Sequence, residues 1–177
     1  MQQAIHLMPG AVDGVIAELR RLLGAQHVIT DRTEREFYSQ DVYRSGELPA
    51  VVIRPGSAEE LATALKAIAP SGLPIVPRGG GMSYTDGYLP KRANSIMVDM
   101  LRMDRVVTIN AEDCYVTVEC GATWKALFDT LAPHGVRTPY YGPLSGLRST
   151  IGGALSQGSI FLGSGRYGTA ADSVIGL

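Results

Sequence analysis

The stretch that decides the fold is Leu73-Pro74-Ile75-Val76-Pro77-Arg78-Gly79-Gly80-Gly81-Met82-Ser83-Tyr84, in which three glycines follow an apolar run. The apolar run predicts a buried β-strand. Glycine has no Cβ, so three in succession allow positive φ angles and let several backbone N–H groups approach an anion. A tight turn between strands is the alternative, although turns rarely need three glycines. We therefore expect an anion-binding loop, with Ser83 as a donor and Arg78 as a neutralising charge.

The residues before this stretch complete a βαβ unit. Ala50–Ile53 predicts a buried strand, and Ser57 with Glu60 predicts the capping box of a helix that ends at Ser71-Gly72. Strand, helix and strand in this order predict parallel strands and a right-handed crossover. The glycine loop then lies at the carboxyl edge of the second strand, where open α/β sheets bind ligands.

After residue 94 the pattern changes. Short β-branched runs at 95–99, 105–110 and 115–119 predict an antiparallel meander, and Thr123 is expected to cap one helix. Residues 138–168 are rich in glycine and hydroxyl side chains, which is typical of a tract that wraps a ligand or is disordered. Within it, Ser149 or Thr150 is expected to cap a short helix whose first N–H groups are available to an anion.

Composition excludes several functions. The chain has 177 residues, a formal net charge of -1 and no basic stripe, so nucleic acid is an unexpected partner. The N-terminus has no signal-peptide pattern and no apolar run approaches the roughly 20 residues of a membrane span, which predicts a cytoplasmic protein without a span. Cys114 and Cys120 are expected to be free, half-buried thiols, and the scattered histidines predict no metal site.

A second glycine motif, Gly163-Ser164-Gly165-Arg166-Tyr167-Gly168, has the spacing of a Rossmann dinucleotide fingerprint. Only a four-residue apolar run precedes it, and the position of the acidic residue expected about 20 residues later falls beyond Leu177. The motif is therefore a minor alternative. Spacing alone identifies no catalytic acid or base, so the catalytic residues are left unassigned.

Five motifs in order resemble the FAD-linked oxidases of the vanillyl-alcohol oxidase and p-cresol methylhydroxylase type: Pro49–Pro55, Pro74–Ser83, Val98–Met100, Val116–Gly121 and Ser149–Gly153. Within that superfamily the chain is most similar to the branch of the glycolate oxidase flavin subunit and D-lactate dehydrogenases. The resemblance implies an α+β, two-subdomain FAD-binding domain. We expect an N-terminal helix and lead-in at 1–48, a small α/β subdomain at 49–94, and a second subdomain at 95–177 that is incomplete. The substrate cap domain of such enzymes is expected to be absent.

The resemblance also implies the cofactor site. The pyrophosphate would bind Pro77, Arg78, Gly79, Gly80, Gly81, Met82, Ser83 and Tyr84, and the ribityl chain and flavin would lie along Pro143, Ser145, Ser149, Thr150, Gly152 and Gly153. Several relatives attach flavin covalently through a histidine after the glycines, where this chain has Met82. A thioether cannot form that bond, so FAD is expected to be non-covalent. Gly80→Val is expected to lower FAD affinity more than fold stability.

The implied function is the FAD-binding portion of an oxidoreductase that oxidises a 2-hydroxy acid or similar alcohol by hydride transfer to FAD. The partner would be a small-molecule substrate, the residues present would be inactive alone, and the sequence leaves the electron acceptor and oligomeric state open. Two alternatives are an NADPH-dependent reductase of the same fold and a non-catalytic nucleotide-binding module.

Overall fold

The computed structural model describes residues 11–139, 142–143 and 145–177, and Ala11 by its backbone only. These residues form two compact units. The first contains residues 11–78 and 83–102, and the second contains Gly79–Met82 and Met103–Leu177. The glycine segment is thus a short part of the second unit, although the chain on both sides of it belongs to the first.

A four-stranded sheet forms the centre of the first unit. Its strands are β1 (Val28–Ile29), β2 (Val51–Ile53), β3 (Ile75–Arg78) and β4 (Ile96–Asp99), in the order β1-β2-β4-β3. The strands β2, β4 and β3 are parallel, and β1 is antiparallel to β2. The side chains of β2 and β4 are buried throughout, as expected for parallel strands covered on both faces.

Three helices belong to this unit: α1 (Ala11–Leu23), α2 (Arg32–Tyr38) and α3 (Ala58–Ile68). Leu19 and Leu23 of α1 and Ala64 and Ile68 of α3 share one core with the sheet residue Ile53. The predicted cap of α3 is confirmed, because the Ser57 hydroxyl accepts the Glu60 N–H at 3.1 Å. The Glu60 carboxylate accepts the N–H of Gly56 at 2.7 Å, one residue before the cap.

The prediction that residues 95–99 begin an antiparallel meander is wrong. Strand β4 lies between β2 and β3 and is parallel to both, with Val98 opposite Ile53 on one side and opposite Pro77 on the other. The continuous apolar run Ile96–Val98 is typical of a strand buried on both faces, which a meander strand rarely is. The expected start of the second subdomain at residue 95 therefore lies inside the first unit.

The second unit combines a hairpin with short helices. Strands β5 (Val106–Asn110) and β6 (Tyr115–Val118) pair antiparallel, as predicted. The helices are α4 (Trp124–Leu131), α5 (Ile151–Ser156) and α6 (Ser164–Tyr167). A small core forms where Trp124 contacts Phe161 edge to face, with ring centroids 5.0 Å apart, near Ala154 and Ala170.

The Rossmann alternative for Gly163–Gly168 is wrong. These residues hold the single-turn helix α6, and within residues 145–163 no β-strand precedes it. The fingerprint requires a strand that leads directly into the glycine turn.

Cys114 and Cys120 are free thiols, and Cys114 is exposed in the turn between β5 and β6 instead of half-buried. In the part of the chain that the structure describes, no helix combines the length and apolar character required to cross a membrane.

Candidate functional site

The glycine segment begins where β3 ends. Strand β3 includes Pro77 and Arg78, so it is longer than the apolar run predicted, and Gly79 follows it directly. Of the three glycines, only Gly81 has a positive φ, at 69°. The need for glycine at positions 79 and 80 must therefore come from close packing and not from backbone conformation.

Gly79 and Gly80 pack against a second loop of the same unit, residues 148–150. A Cβ on Gly80 would overlap the backbone carbonyl oxygen of Arg148, and a Cβ on Gly79 would overlap the Thr150 hydroxyl oxygen. Within the second unit, the structure therefore brings the glycines of one predicted half of the cofactor site against Thr150 of the other half. Two of the glycines are required by this protein contact before any ligand is considered.

A compact turn that starts at Pro143 leads into residues 148–150. The Pro143 carbonyl accepts the Gly146 N–H at 2.9 Å, and the Ser145 carbonyl accepts the N–H groups of Arg148 and Ser149, both at 2.9 Å. The hydroxyl oxygens of Ser145 and Ser149 lie 2.7 Å apart. These bonds place two predicted site hydroxyls side by side, beside the loop that carries the glycines.

Helix α5 begins at this turn, and its cap is confirmed. Thr150 is the cap residue, and its hydroxyl accepts the Gly153 N–H at 3.2 Å. The expectation that the first N–H groups of this helix are available to an anion is wrong. Ile151 donates to the Ala122 carbonyl at 2.8 Å, and Gly152 donates to the Cys120 carbonyl at 2.9 Å.

Gly152 is required by its neighbour Cys120, which lies two residues after β6. A Cβ at this position would lie 2.7 Å from the Cβ of Cys120 and 2.8 Å from its carbonyl oxygen. Burial raises the pKa of the Cys120 thiol, which keeps it protonated near neutral pH. Gly152 and Cys120 therefore form a close structural contact between α5 and the end of the hairpin.

Arg78 lies in different surroundings from those predicted. Its side chain is only 5% exposed, and its guanidinium carbon lies 5.5, 4.9 and 5.1 Å from the ring centroids of Phe37, Tyr38 and Tyr88. The sequence predicts instead a cation that faces phosphate. Cation–π contacts of this kind stabilise a buried guanidinium in place of solvent. Arg78 thus anchors the end of β3 within the first unit.

The residues after the glycines return to the first unit. The Ser83 hydroxyl accepts the Thr85 N–H at 3.2 Å, and the Tyr84 side chain is 66% exposed. Its ring contacts that of Tyr43 edge to face, with centroids 6.4 Å apart. Pro77 is exposed and Met82 is half-buried.

Arg148 is a candidate that sequence reasoning missed. It has an exposed side chain, and its carbonyl lies against Gly80. The available signal was its position between Pro143 and Thr150 in the glycine- and hydroxyl-rich tract. The Arg78 guanidinium is enclosed by aromatic rings, whereas the Arg148 side chain is exposed. Arg148 is therefore the better candidate for the cation that contacts an anionic ligand.

Charge in the two loops suits an anionic ligand. No Asp or Glu occurs in residues 79–82 or 143–153, and the second range carries Arg148. A glycine of positive φ such as Gly81, a pair of hydroxyls and local positive charge are features by which proteins bind phosphate groups. The residues present therefore fit the pyrophosphate of a dinucleotide cofactor.

Comparison with known proteins indicates the same class of ligand. Residues 49–177 match the family model described as FAD binding domain. The chain is 27% identical over 178 residues to mitochondrial D-lactate dehydrogenase [cytochrome] 1 of Saccharomyces cerevisiae, an alignment that covers 96% of this chain and 30% of that protein.

Solved structures show the same fold. Alkyldihydroxyacetonephosphate synthase matches with a TM-score of 0.83 and 21% identity, over 92% of this chain and 35% of that one. A substrate-bound p-cresol methylhydroxylase matches with a TM-score of 0.74 and 18% identity, over 85% of this chain and 30% of that one. The predicted fold type is confirmed, and the chain spans about a third of the length of these proteins.

Proposed function

The chain belongs to the family of FAD binding domains, and on that premise we propose that Gly79–Met82 binds the FAD pyrophosphate. The segment from Pro143 to Gly153 would lie along the ribityl chain and flavin. The observation that supports this proposal is the packing of Gly79 and Gly80 against residues 148–150, because it brings the glycine part of one predicted half against the other half within the second unit.

Each part of the site would have a distinct task. Backbone groups of the glycine segment would approach the phosphates closely, and the neighbouring hydroxyls of Ser145 and Ser149 would donate hydrogen bonds. Arg148 would add positive charge from the same loop. Bound FAD would supply a two-electron acceptor, while the protein orients it and tunes its surroundings.

We propose that the whole protein is an FAD-dependent oxidoreductase that oxidises a 2-hydroxy acid or similar alcohol. Support comes from the similarity to a D-lactate dehydrogenase and from the family match. The residues that contact the substrate and move its proton are proposed to lie outside these 177 residues. A cytoplasmic location stays a prediction, and residues 1–10, on which it partly depends, lie outside the described residues.

FAD is proposed to be held without a covalent bond, because Met82 stands where some relatives have the attaching histidine. The test is acid precipitation of the purified full-length protein, with release of flavin into the supernatant as the expected result. Flavin that stays with the precipitated protein would contradict non-covalent binding.

The activity is tested by anaerobic addition of D-lactate and related 2-hydroxy acids to the full-length protein with FAD. Bleaching of the oxidised flavin absorbance is expected. Bleaching by NADPH alone would instead favour the reductase alternative, and bound flavin that no donor reduces would favour a nucleotide-binding module. Protein that takes up no FAD would contradict the whole proposal.

Arg148→Gln is expected to raise the Kd for FAD by about tenfold, since hydrogen bonds to charged groups contribute about 1.5–3 kcal/mol. Flavin-fluorescence titration measures the change. Arg137→Gln is the matched control, because Arg137 is also an exposed arginine of the second unit but lies outside the loop. An equal effect of both substitutions would indicate general electrostatic attraction and not a specific contact.

A further inference from the structure

The lead-in residues before the matched family region contact the chain that leaves the glycine segment. The Glu47 N–H donates to the Pro90 carbonyl at 2.9 Å, and the Gly46 N–H donates to the Ser39 carbonyl at 2.7 Å. A Cβ on Gly46 would lie only 2.6 Å from the Pro90 carbonyl oxygen. Residues 39–47 and 83–91 are thus packed together within the first unit.

The Asp41 carboxylate joins these two segments. Its Oδ1 accepts the N–H groups of Tyr43 and Arg44, both at 2.7 Å. Its Oδ2 accepts the N–H of Asp86 at 3.2 Å. One carboxylate therefore closes the turn of the lead-in and also holds the backbone of the segment that follows the glycines.

The backbone that Asp41 holds is strained at Asp86, the residue whose N–H it accepts. Asp86 has a φ of 58°, a left-handed conformation that few residues other than glycine adopt. Its own carboxylate accepts a hydrogen bond from Arg44 at 2.8 Å and lies 3.6 Å from Lys91. Such a conformation persists only where the surroundings determine it, and Asp41 and Arg44 of the lead-in supply those contacts.

We propose that Asp41 is a positioning residue for the cofactor site, which acts by fixing Ser83–Asp86, the direct continuation of Gly79–Met82. This inference rests on the proposed binding of FAD at the glycine segment. Strand β3 fixes the chain before the segment, through the pairing of Arg78 with Asp99, and the Asp41 contact fixes the chain after it. Asp41 lies outside residues 49–177, which match the family.

The charge state of Asp41 is consistent with this role. The N–H of Tyr43, followed by those of Arg44 and Asp86, lowers the pKa of the Asp41 carboxyl below its ordinary value. The carboxylate is therefore ionised at neutral pH, when both of its oxygens accept. An asparagine in its place has a single oxygen acceptor and would present an NH2 donor to one of the N–H groups.

The test is FAD titration of full-length Asp41→Asn. We expect the Kd to rise about tenfold, because a charge-assisted hydrogen bond is lost at the exit from the glycine segment. Turnover at saturating FAD is expected to stay within about twofold of the wild type, since a positioning defect acts on binding. Hydrogen exchange of the peptide that covers residues 83–91 should become faster.

The matched control is Asp31→Asn. Asp31 also accepts a backbone N–H in the lead-in, from Glu34 at 3.0 Å, but it caps α2. This control should leave the Kd unchanged, and an equal rise in both variants would overturn the proposal. If Asp41→Asn does not fold, Asp41→Ser replaces it, because a single hydroxyl oxygen can still accept within the lead-in turn.

The outcomes separate the two proposals. Wild-type protein that binds FAD, with an unchanged Kd in the Asp41 variant, would overturn the positioning role and leave the proposed function intact. Wild-type protein that binds no FAD would overturn both.

Discussion

The two units differ in how they hold their residues in place. In the first, parallel strands are covered by helices, and Val51, Ile53, Ile96 and Met97 are fully buried. In the second, the hairpin is partly exposed, with Val107 56% accessible, and the buried core around Trp124 is small. The second unit depends instead on close backbone contacts at glycine, such as that between Gly80 and Arg148.

This difference separates two kinds of sensitivity to substitution. A sheet core is damaged by removing atoms, because a cavity remains. A loop pair joined at glycine is damaged by adding atoms, because the backbones must then move apart. Most of the proposed cofactor site lies in the second unit, where added atoms are the more damaging change.

The largest expected effect is that of Gly80→Ala. A single Cβ here overlaps the Arg148 carbonyl, so we expect a loss of about 3 kcal/mol or more in unfolding free energy. FAD binding should be lost as well, which differs from the expectation that Gly80→Val mainly affects affinity. Urea unfolding and FAD titration measure the two effects. Gly165→Ala, where a Cβ meets open space, is the control, and equal stability of both variants would contradict the tight contact.

The next effect contrasts the two kinds of core. Ile53→Ala in β2 should lower the unfolding free energy by about 2–5 kcal/mol, because Ile53 is fully buried in the sheet. Val107→Ala in β5 should change it by less than about 0.5 kcal/mol, since that side chain is mostly exposed. Chemical denaturation compares the two variants. Similar losses would show that the hairpin is buried as deeply as the sheet.

The smallest effect is a pH dependence confined to the first unit. Burial, and then the hydrogen bond to Asp99 at 2.7 Å, raises the pKa of Tyr38 to about 12. The folded state therefore favours the neutral phenol, and this stabilisation is complete below pH 10 and lost as pH rises towards 12. Unfolding midpoints between pH 8 and pH 12 should fall less steeply for Tyr38→Phe.

Local features of the fold were predictable from sequence because they depend on neighbouring residues. Ser57, Thr123 and Thr150 each cap the helix that follows, as their side chains accept an N–H three residues later. The parallel strands and the glycine loop after β3 were also predicted. The position of β4 between β2 and β3 was not, since a short apolar run does not specify its partners.

The residues of the candidate site stay a prediction from the order of the motifs, whereas most of their contacts follow from no local pattern. The order of the motifs predicts a cofactor site at the glycine segment and at residues 143–153. The family that the motifs indicate is confirmed. The burial of Arg78 among aromatic rings depends on Phe37 and Tyr38, about forty residues earlier, whose packing no local pattern records. For the same reason the sequence does not predict the contact between Asp41 and Asp86.

The division of the chain has a consequence for biosynthesis. Gly79–Met82 is translated about seventy residues before Arg148–Thr150, against which it packs, a delay of roughly 3–14 s at typical elongation rates. Strand β4 is also translated during that interval, so the four-stranded sheet of the first unit can assemble before residues 148–150 are made. At the proposed site, the nascent chain would bind FAD only after the later loop has emerged from the ribosome.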